Sequence, residues 1–289
     1  MAIYNINGWP LSQALDIDGN MKGAAYDIAG NQVFFGGPKV IKVMSYNVGG
    51  WYIGSGSNVP ASKKAEYLAL QTGMIIGNDP DVLCIQEYLP NFSSDGTSAL
   101  EMLQELFPYV HAVPSGTWYG RAICSKYPIS NYTQRQYTVD SSRYFDSCTI
   151  TFGSIPVTFV TTHLALSQSN RNPEISQLIT YLQTLDRFVA CGDYNSMIVD
   201  DSANVESEAY ADNVKPFVDK GFHTANYDEF GFMITCVDRS NGTNYYLDNV
   251  YTSANIDILN AYVDETKLHD LIDDPIDHMP FIATLQIGG

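Results

Sequence analysis

The stretch Arg187-Phe188-Val189-Ala190-Cys191-Gly192-Asp193-Tyr194-Asn195 is a short apolar run that stops on polar side chains. Its length and composition predict a strand over Phe188–Cys191, with Asp193 and Asn195 at its end. The same form recurs along the chain. Strand-like runs lie at Val40–Tyr46, Asp81–Gln86, Arg121–Ser125, Cys148–Phe152, Val157–Thr162, Tyr245–Tyr251 and Phe281–Ile287. Helical stretches fall between several of them. Ala61–Ile76 carries Leu68, Met74 and Ile75, with Leu70 alongside. Ser98 and Glu101 form a capping box ahead of Leu100, Leu103 and Leu106. Asn172-Pro173 predicts an N-cap and first helical residue before Ile175, Leu178, Ile179 and Leu182. Strands interleaved with helices predict an α/β fold with helices packed outside sheets.

A chain of 289 residues can build one large domain, or one domain with a small appendage. Hydrophobic residues at 45% and charged residues at 16% predict a globular protein. No apolar run is long enough to span a bilayer. Met1-Ala2-Ile3-Tyr4-Asn5 lacks the basic and apolar regions of a signal peptide, so the expected location is the cytoplasm. Cys84, Cys124, Cys148, Cys191 and Cys236 read as buried, reduced thiols. No CxxC or Cys/His spacing suggests zinc. The formal net charge of −17 argues against a protein that simply coats nucleic acid. It does not exclude a nuclease, because a bound cation reverses the local field.

The first 37 residues differ from the rest. Tyr4-Asn5-Ile6-Asn7-Gly8 is echoed by Leu15-Asp16-Ile17-Asp18-Gly19 and by Tyr26-Asp27-Ile28-Ala29-Gly30, each copy 11 residues after the last (15 − 4 and 26 − 15). The glycine turns predict short strand–turn units, followed by the linker Gly36-Gly37-Pro38. Two readings stand for residues 1–37. One is an accessory β-rich module for attachment or self-association, and the other is a strand extension packed on the catalytic domain, 38–289. The repeats resemble short extensions on bacteriophage-associated proteins, which adds a phage-associated setting to the expectations.

Several strand-like runs end on residues that bind metal or move protons. IKVMSY ends at Asn47, DVLCIQ at Glu87, VTFVTT at His163, and RFVACG at Asp193 with Asn195 after it. YYLDNVY carries Asp248, and Asp277-His278 precedes the last strand, as an antiparallel strand would require. Taken singly, Asn47 reads as a turn residue and His163 as a structural histidine. Glu87 and Asp193-Tyr194-Asn195 are evenly balanced between loop and site. Asp277-His278 could be a loop pair. Asp248 inside an apolar strand is harder to dismiss, because a buried carboxylate needs a partner. Their joint placement at strand ends favours one functional rim. Phosphoester hydrolysis needs such a set. Carboxylates hold a hard cation, a histidine–carboxylate pair activates water, and Asn and a second His donate to the phosphate.

VMSYNVGG (43–50), LCIQEY (83–88), RAICSKYPI (121–129), VTTHLA (160–165), ACGDYNS (190–196), YLDNVYTS (246–253) and IDHMP (276–280) occur in one order. In that order they resemble the endonuclease/exonuclease/phosphatase superfamily, which includes deoxyribonuclease I. The resemblance implies a four-layered α/β/β/α sandwich. It implies Mg²⁺ or Mn²⁺, with Ca²⁺ as a further candidate, at Glu87 with Asn47 and Asp277 nearby. It implies that Asp248 orients His278 as general base, that Asp193 and Asn195 position water and phosphate, and that His163 binds phosphate and helps protonate the leaving group. Trp118 and Tyr119 lie where family members often carry a phosphate-contacting aromatic residue. Arg143 resembles a phosphate-contacting position and reads equally as an ordinary exposed arginine. The implied function is hydrolysis of phosphodiesters, with DNA as the expected partner. The alternatives are a phosphatase or a sphingomyelinase-type hydrolase of the same mechanism, or a binding protein that keeps the fold. The Trp-Cys-Asp-Arg signature of inositol-polyphosphate phosphatases is absent.

Overall fold

A computed structural model describes residues 25–26, 32–33, 38–52, 61–89, 93–94, 97–113, 120–195, 214–227, 231–238, 242–266 and 277–288. Trp118, Tyr119 and most of residues 1–37, with the expectations placed on them, lie outside the described residues. Within the first segment, Ala25–Tyr26 pairs antiparallel with Gln32–Val33.

Two six-stranded sheets carry the fold. Their strands are β1 (Lys39–Asn47), β2 (Val82–Tyr88), β3 (Tyr109–Val113), β4 (Gly120–Ser125), β5 (Ile129–Gln136), β6 (Tyr144–Phe152), β7 (Ile155–His163), β8 (Phe188–Asp193), β9 (His223–Thr224), β10 (Asp248–Thr252), β11 (Ile256–Val263) and β12 (Phe281–Ile287). The first sheet has the order β11-β12-β1-β2-β4-β3, and the second β9-β10-β8-β7-β6-β5. The main helices are α1 (Ala61–Asn78), α2 (Ala99–Leu106) and α3 (Gln168–Leu182).

The strand period of two separates the layers. In β2, Val82 and Cys84 point between the sheets and join Ile41, Val43, Cys148, Phe159, Val189 and Cys191. Leu83 and Ile85 point the other way, into a cluster with Leu68, Met74 and Ile75 of α1 and Leu103 of α2. In β8, Val189 and Cys191 face the first sheet, while Phe188 and Ala190 pack with Ile175, Leu178, Ile179 and Leu182 of α3. The result is helix, sheet, sheet, helix, the expected four-layered sandwich. Central strands with both faces covered read as continuous apolar runs, which is why they are visible in the sequence. Each fully buried Val, Leu or Ile is worth roughly 1.5–3 kcal/mol relative to exposure. All the cysteines are free and buried.

The helix starts divide. Ser98 caps α2 with Glu101 completing the box, as its sequence predicts. Asn172-Pro173 does not start α3: the helix begins at Gln168 after Ser167, and Pro173 lies inside it. Tertiary bonds hold the added first turn. Arg171 donates to the carbonyls of Ala165 and Leu166, and the Glu174 carboxylate accepts from the Ala165 amide. The run Tyr245–Tyr251 is also broken. Thr243–Tyr245 pairs with Cys236–Asp238 in a small separate sheet, and Asp248 opens β10.

Register puts the polar strand ends on one rim. β1 and β2 run parallel, as do β7 and β8, and the bond from Asn47 to Asp193 joins the two pairs, so Asn47, Glu87, His163 and Asp193 share one rim. His163 is level with Asp193, and Asp193 with Asp248 at the start of antiparallel β10. Phe281 of antiparallel β12 pairs with Ser45, so the preceding His278 also reaches this rim.

Gly192 is what permits β7 and β8 to lie so close beneath it. A Cβ there would meet the Thr162 carbonyl oxygen at 2.6 Å and its Cγ2 at 2.7 Å. Gly192→Ala is therefore expected to push the two strands apart, destabilising the protein by roughly 1–3 kcal/mol. It should also displace Asp193 from His163. A denaturant titration checks the first effect, and an unchanged midpoint would show that the strands yield without cost.

Candidate active site

Glu87 stands where β2 breaks its ladder with β4, between Ile85 and Tyr88. The bulge turns the Glu87 backbone to φ 54°, a left-handed conformation costing an L-residue roughly 1–2 kcal/mol. Its carboxylate faces the site: Asn47 Nδ2 donates to Glu87 Oε1 at 3.2 Å. The same Asn47 amide donates to Asp193 Oδ2 at 3.0 Å, joining the first sheet to the second. Asn47 Oδ1 accepts from the Gly49 amide at 2.9 Å, so the turn reading and the site reading of this residue both hold.

Asp193 is buried at the centre. Its Oδ1 accepts from the Asn195 amide at 2.8 Å. Its Oδ2 lies 3.5 Å from His163 Nε2 and 3.5 Å from His278 Nε2. Burial alone would raise its pKa, but the two imidazoles, the Asn47 amide and the Asn195 N–H outweigh that and lower it. Asn195 is held at φ 50°, and its Nδ2 donates to the Leu164 carbonyl at 2.7 Å, tying this turn to the end of β7.

Asp248 Oδ2 is 2.9 Å from His278 Nδ1. Thr235 Oγ1 accepts from the Leu247 and Asp248 amides, and Asn226 Nδ2 donates to the Asp248 carbonyl. These bonds fix the carboxylate behind the ring. Burial opposes a charged imidazole, yet Cys236, Asp248 and Asp193 around it hold the His278 pKa well above its ordinary value. Asp248 is pushed up to about 6 by burial, with His278 opposing. His163 behaves differently. Burial drives its pKa down to about 3 against the pull of Asp193, so it is neutral at neutral pH.

Arg143 Nη1 donates to the His163 carbonyl at 3.2 Å, which places a half-buried guanidinium beside the rim. Asp277 is half-buried, and its Oδ1 accepts from the His278 amide at 3.0 Å. Asn47, Glu87, His163, Asp193, Asn195, Asp248, Asp277 and His278 are thus brought together. Thr235 and Asn226 are supporting residues that the sequence did not mark. They sit in irregular chain with no periodicity to expose them.

A model of the endonuclease/exonuclease/phosphatase family matches residues 44–270. Among solved structures, truncated Caenorhabditis elegans TDP2 is similar with a TM-score of 0.63 at 15% identity, covering 85% of this chain and 97% of that one. ANGEL2, described as a 2′,3′-cyclic phosphatase and solved with adenosine-2′,3′-vanadate, gives a TM-score of 0.63 at 15% identity over 86% of this chain and 96% of its own. A family protein from Leptotrichia buccalis gives 0.62 at 18% identity over 84% and 98%. No curated protein sequence matches the chain.

Burial raises the Glu87 carboxyl from 4.5 to about 7, against the pull of His278 and Asn47. A carboxyl whose folded pKa is raised favours the folded state below its unfolded pKa, and that contribution is lost as pH rises through the folded value. In cation-free protein, Glu87 should therefore weaken the fold progressively between about pH 4.5 and 7. Glu87→Gln should raise the melting temperature in chelator at pH 8 and leave it nearly unchanged at pH 4. Equal effects at both pH values would show that Glu87 ionises without penalty.

Proposed function

Because the chain belongs to the endonuclease/exonuclease/phosphatase family, we propose that this phosphoesterase is a divalent-cation-dependent phosphodiesterase acting on DNA. The observation that carries the reading is the Asp248–His278–Asp193 array, with Asn47 bridging Asp193 to Glu87. TDP2 from Danio rerio is solved with a single-stranded DNA product, which supports the choice of DNA.

The residues present fit a hard cation. Glu87 ionises only with a penalty where it stands, and Glu87 and Asp277 carry carboxylate oxygens for an ion, while Asn47, whose Nδ2 faces Glu87, would offer its oxygen only with its amide reversed. Mg²⁺ or Mn²⁺ there, or Ca²⁺ in their place, would counter the charge that develops on the phosphoryl oxygens. The protein's own groups supply the proton chemistry. Asp248 holds Nδ1 of His278 and leaves Nε2 facing the space beside Asp193. His278, once it has released its own proton, accepts one from water there, and Asp248 on Nδ1 stabilises the imidazolium that forms. Asp193 and Asn195 orient the water and the phosphate. His163, being neutral, donates an N–H hydrogen bond to the phosphoryl group. It passes a proton to the leaving oxygen only when the substrate's charge raises its own proton affinity. Arg143 is the nearby guanidinium for a non-bridging phosphate oxygen. The net charge of −17 favours a second reading, a small phosphate ester, over a long polyanion. Residues 1–37 are assigned to attachment or self-association, since every proposed site residue lies beyond them.

Plasmid DNA, bis-(p-nitrophenyl) phosphate and p-nitrophenyl phosphate, each with Mg²⁺ or Mn²⁺, separate these readings. The diester substrates should be cleaved fastest, and excess EDTA should abolish turnover. Full activity in EDTA overturns cation dependence, while faster phosphate release from the monoester favours the second reading. His278→Ala should cost roughly 10²–10⁴-fold in rate with little change in melting temperature, and Asp248→Asn should follow it. An intact rate in Asp248→Asn would separate the two roles. A protein beginning at Pro38 should keep its specific activity, and its loss with cation binding retained would place residues 1–37 in the catalytic unit.

A further inference from the structure

Cys236 faces His278, and the hydrolytic reading gives its sulfur no contact with water or phosphate. The two residues are 42 positions apart (278 − 236), a separation that no Cys/His spacing motif anticipates. They meet as an isolated antiparallel bridge. Val237 N donates to the Asp277 carbonyl at 2.8 Å, and Met279 N to the Thr235 carbonyl at 2.8 Å. These bonds flank the bridge and make Cys236 and His278 a non-hydrogen-bonded pair, the arrangement in which facing side chains come closest. Ligand atoms of Cys236, Asp277 and His278 all lie within 4.8 Å of one another. A second such group, Asp193, Asp248 and His278, shares the imidazole. In it the buried Asp248 Oδ1 accepts no hydrogen bond among the described residues.

We infer that Cys236, Asp277 and His278 form a binding site for a thiophilic divalent ion, Zn²⁺ by its donor set, and that its occupation switches hydrolysis off. The inference rests on the proposed role of His278. One sulfur, one imidazole nitrogen and one carboxylate oxygen make a three-ligand zinc set, with the fourth position left for water. Mg²⁺ and Ca²⁺ prefer oxygen and gain nothing from the thiol, so Cys236 selects against the ions expected at Glu87. Asp248 on Nδ1 is the outer carboxylate that a metal-bound histidine usually carries. On binding, the thiol loses its proton to solvent and a sulfur–metal bond forms, with no change of oxidation state. The imidazole lone pair is then committed to the ion and cannot accept a proton from water. Asp277 is also drawn away from the Glu87 side.

Cobalt(II) is the spectroscopic probe. Added to the chelator-stripped, reduced full-length protein, one equivalent should produce a near-ultraviolet thiolate-to-cobalt charge-transfer band that Zn²⁺ then bleaches. Cys236→Ser should lose the band and weaken Zn²⁺ binding by at least about 10²-fold. Zn²⁺ inhibition, read as the ratio of Mg²⁺-supported rates with and without Zn²⁺ in each protein, should weaken in parallel. Cys236→Ala guards against weak ligation by the serine hydroxyl. A band that survives in both variants, or Zn²⁺ inhibition unchanged in them, overturns the site. The absence of any thiolate band in the parent protein overturns it as well. Failure of Mg²⁺-supported hydrolysis on every substrate would instead strike the proposed function, because the cobalt band and the zinc stoichiometry do not depend on turnover.

Discussion

A carboxylate buried away from water must be met by hydrogen bonds or opposite charge, and Asp193 is met from both sheets at once. Asn47 reaches it from the first sheet, while Asn195 and His163 meet it from the second, and His278 arrives on the chain before β12. Two further links lie between the sheets. Gln86 donates to Thr161 at 3.0 Å, and the buried Arg121 guanidinium pairs with Asp146. The space between the sheets therefore changes from an apolar interior to a hydrogen-bonded margin. Apolar packing holds the sheets together but tolerates small slips. Removing one partner of a buried ion pair costs roughly 3–5 kcal/mol, so the polar margin fixes how the two rims align.

That alignment explains how much of the site was legible. β12 was read with its observed ends because both faces are covered, and every second residue meets a different layer. The polar residue ending each central strand was visible for the same reason. β5, Ile-Ser-Asn-Tyr-Thr-Gln-Arg-Gln, was missed because it is an edge strand, largely exposed, with little apolar pattern. β3 and β11 are also edges of their sheet and were missed likewise. The break at Tyr246-Leu247 was hidden by the apolar Tyr245-Tyr246-Leu247, since Leu247 leaves the ladder for distant partners, its amide donating to Thr235 Oγ1 and its carbonyl accepting from the Tyr194 amide. The true start of α3 depends on Glu174 and Arg171 bonding backward to Ala165 and Leu166, and a local N-cap rule has no access to such contacts.

The rim also departs from what stability alone would select. Glu87 and Asn195 both adopt left-handed backbone, at φ 54° and φ 50°, and neither is glycine. Strain of this kind persists only where the surroundings enforce it. At Glu87 the bulge enforces it, and the outcome is a carboxylate turned toward Asn47 and Asp193. Lengthening a strand without a bulge would return the side chain to the ladder's alternation, where it would face a helix layer or the opposite sheet.

Electrostatics at the rim points in the same direction. Two imidazoles 3.5 Å from one carboxylate oxygen are shifted in opposite directions: Cys236, then Asp248 behind the ring at 2.9 Å, raise the proton affinity of His278, while burial dominates at His163. One ring has high proton affinity and the other is a neutral donor. A single shared carboxylate could not create that difference. Cys236 contributes to it, and so does β10, which runs antiparallel to β8 and starts level with Asp193, placing a second carboxylate behind one histidine only. The strand direction that sets the fold thus also separates the base from the hydrogen-bond donor.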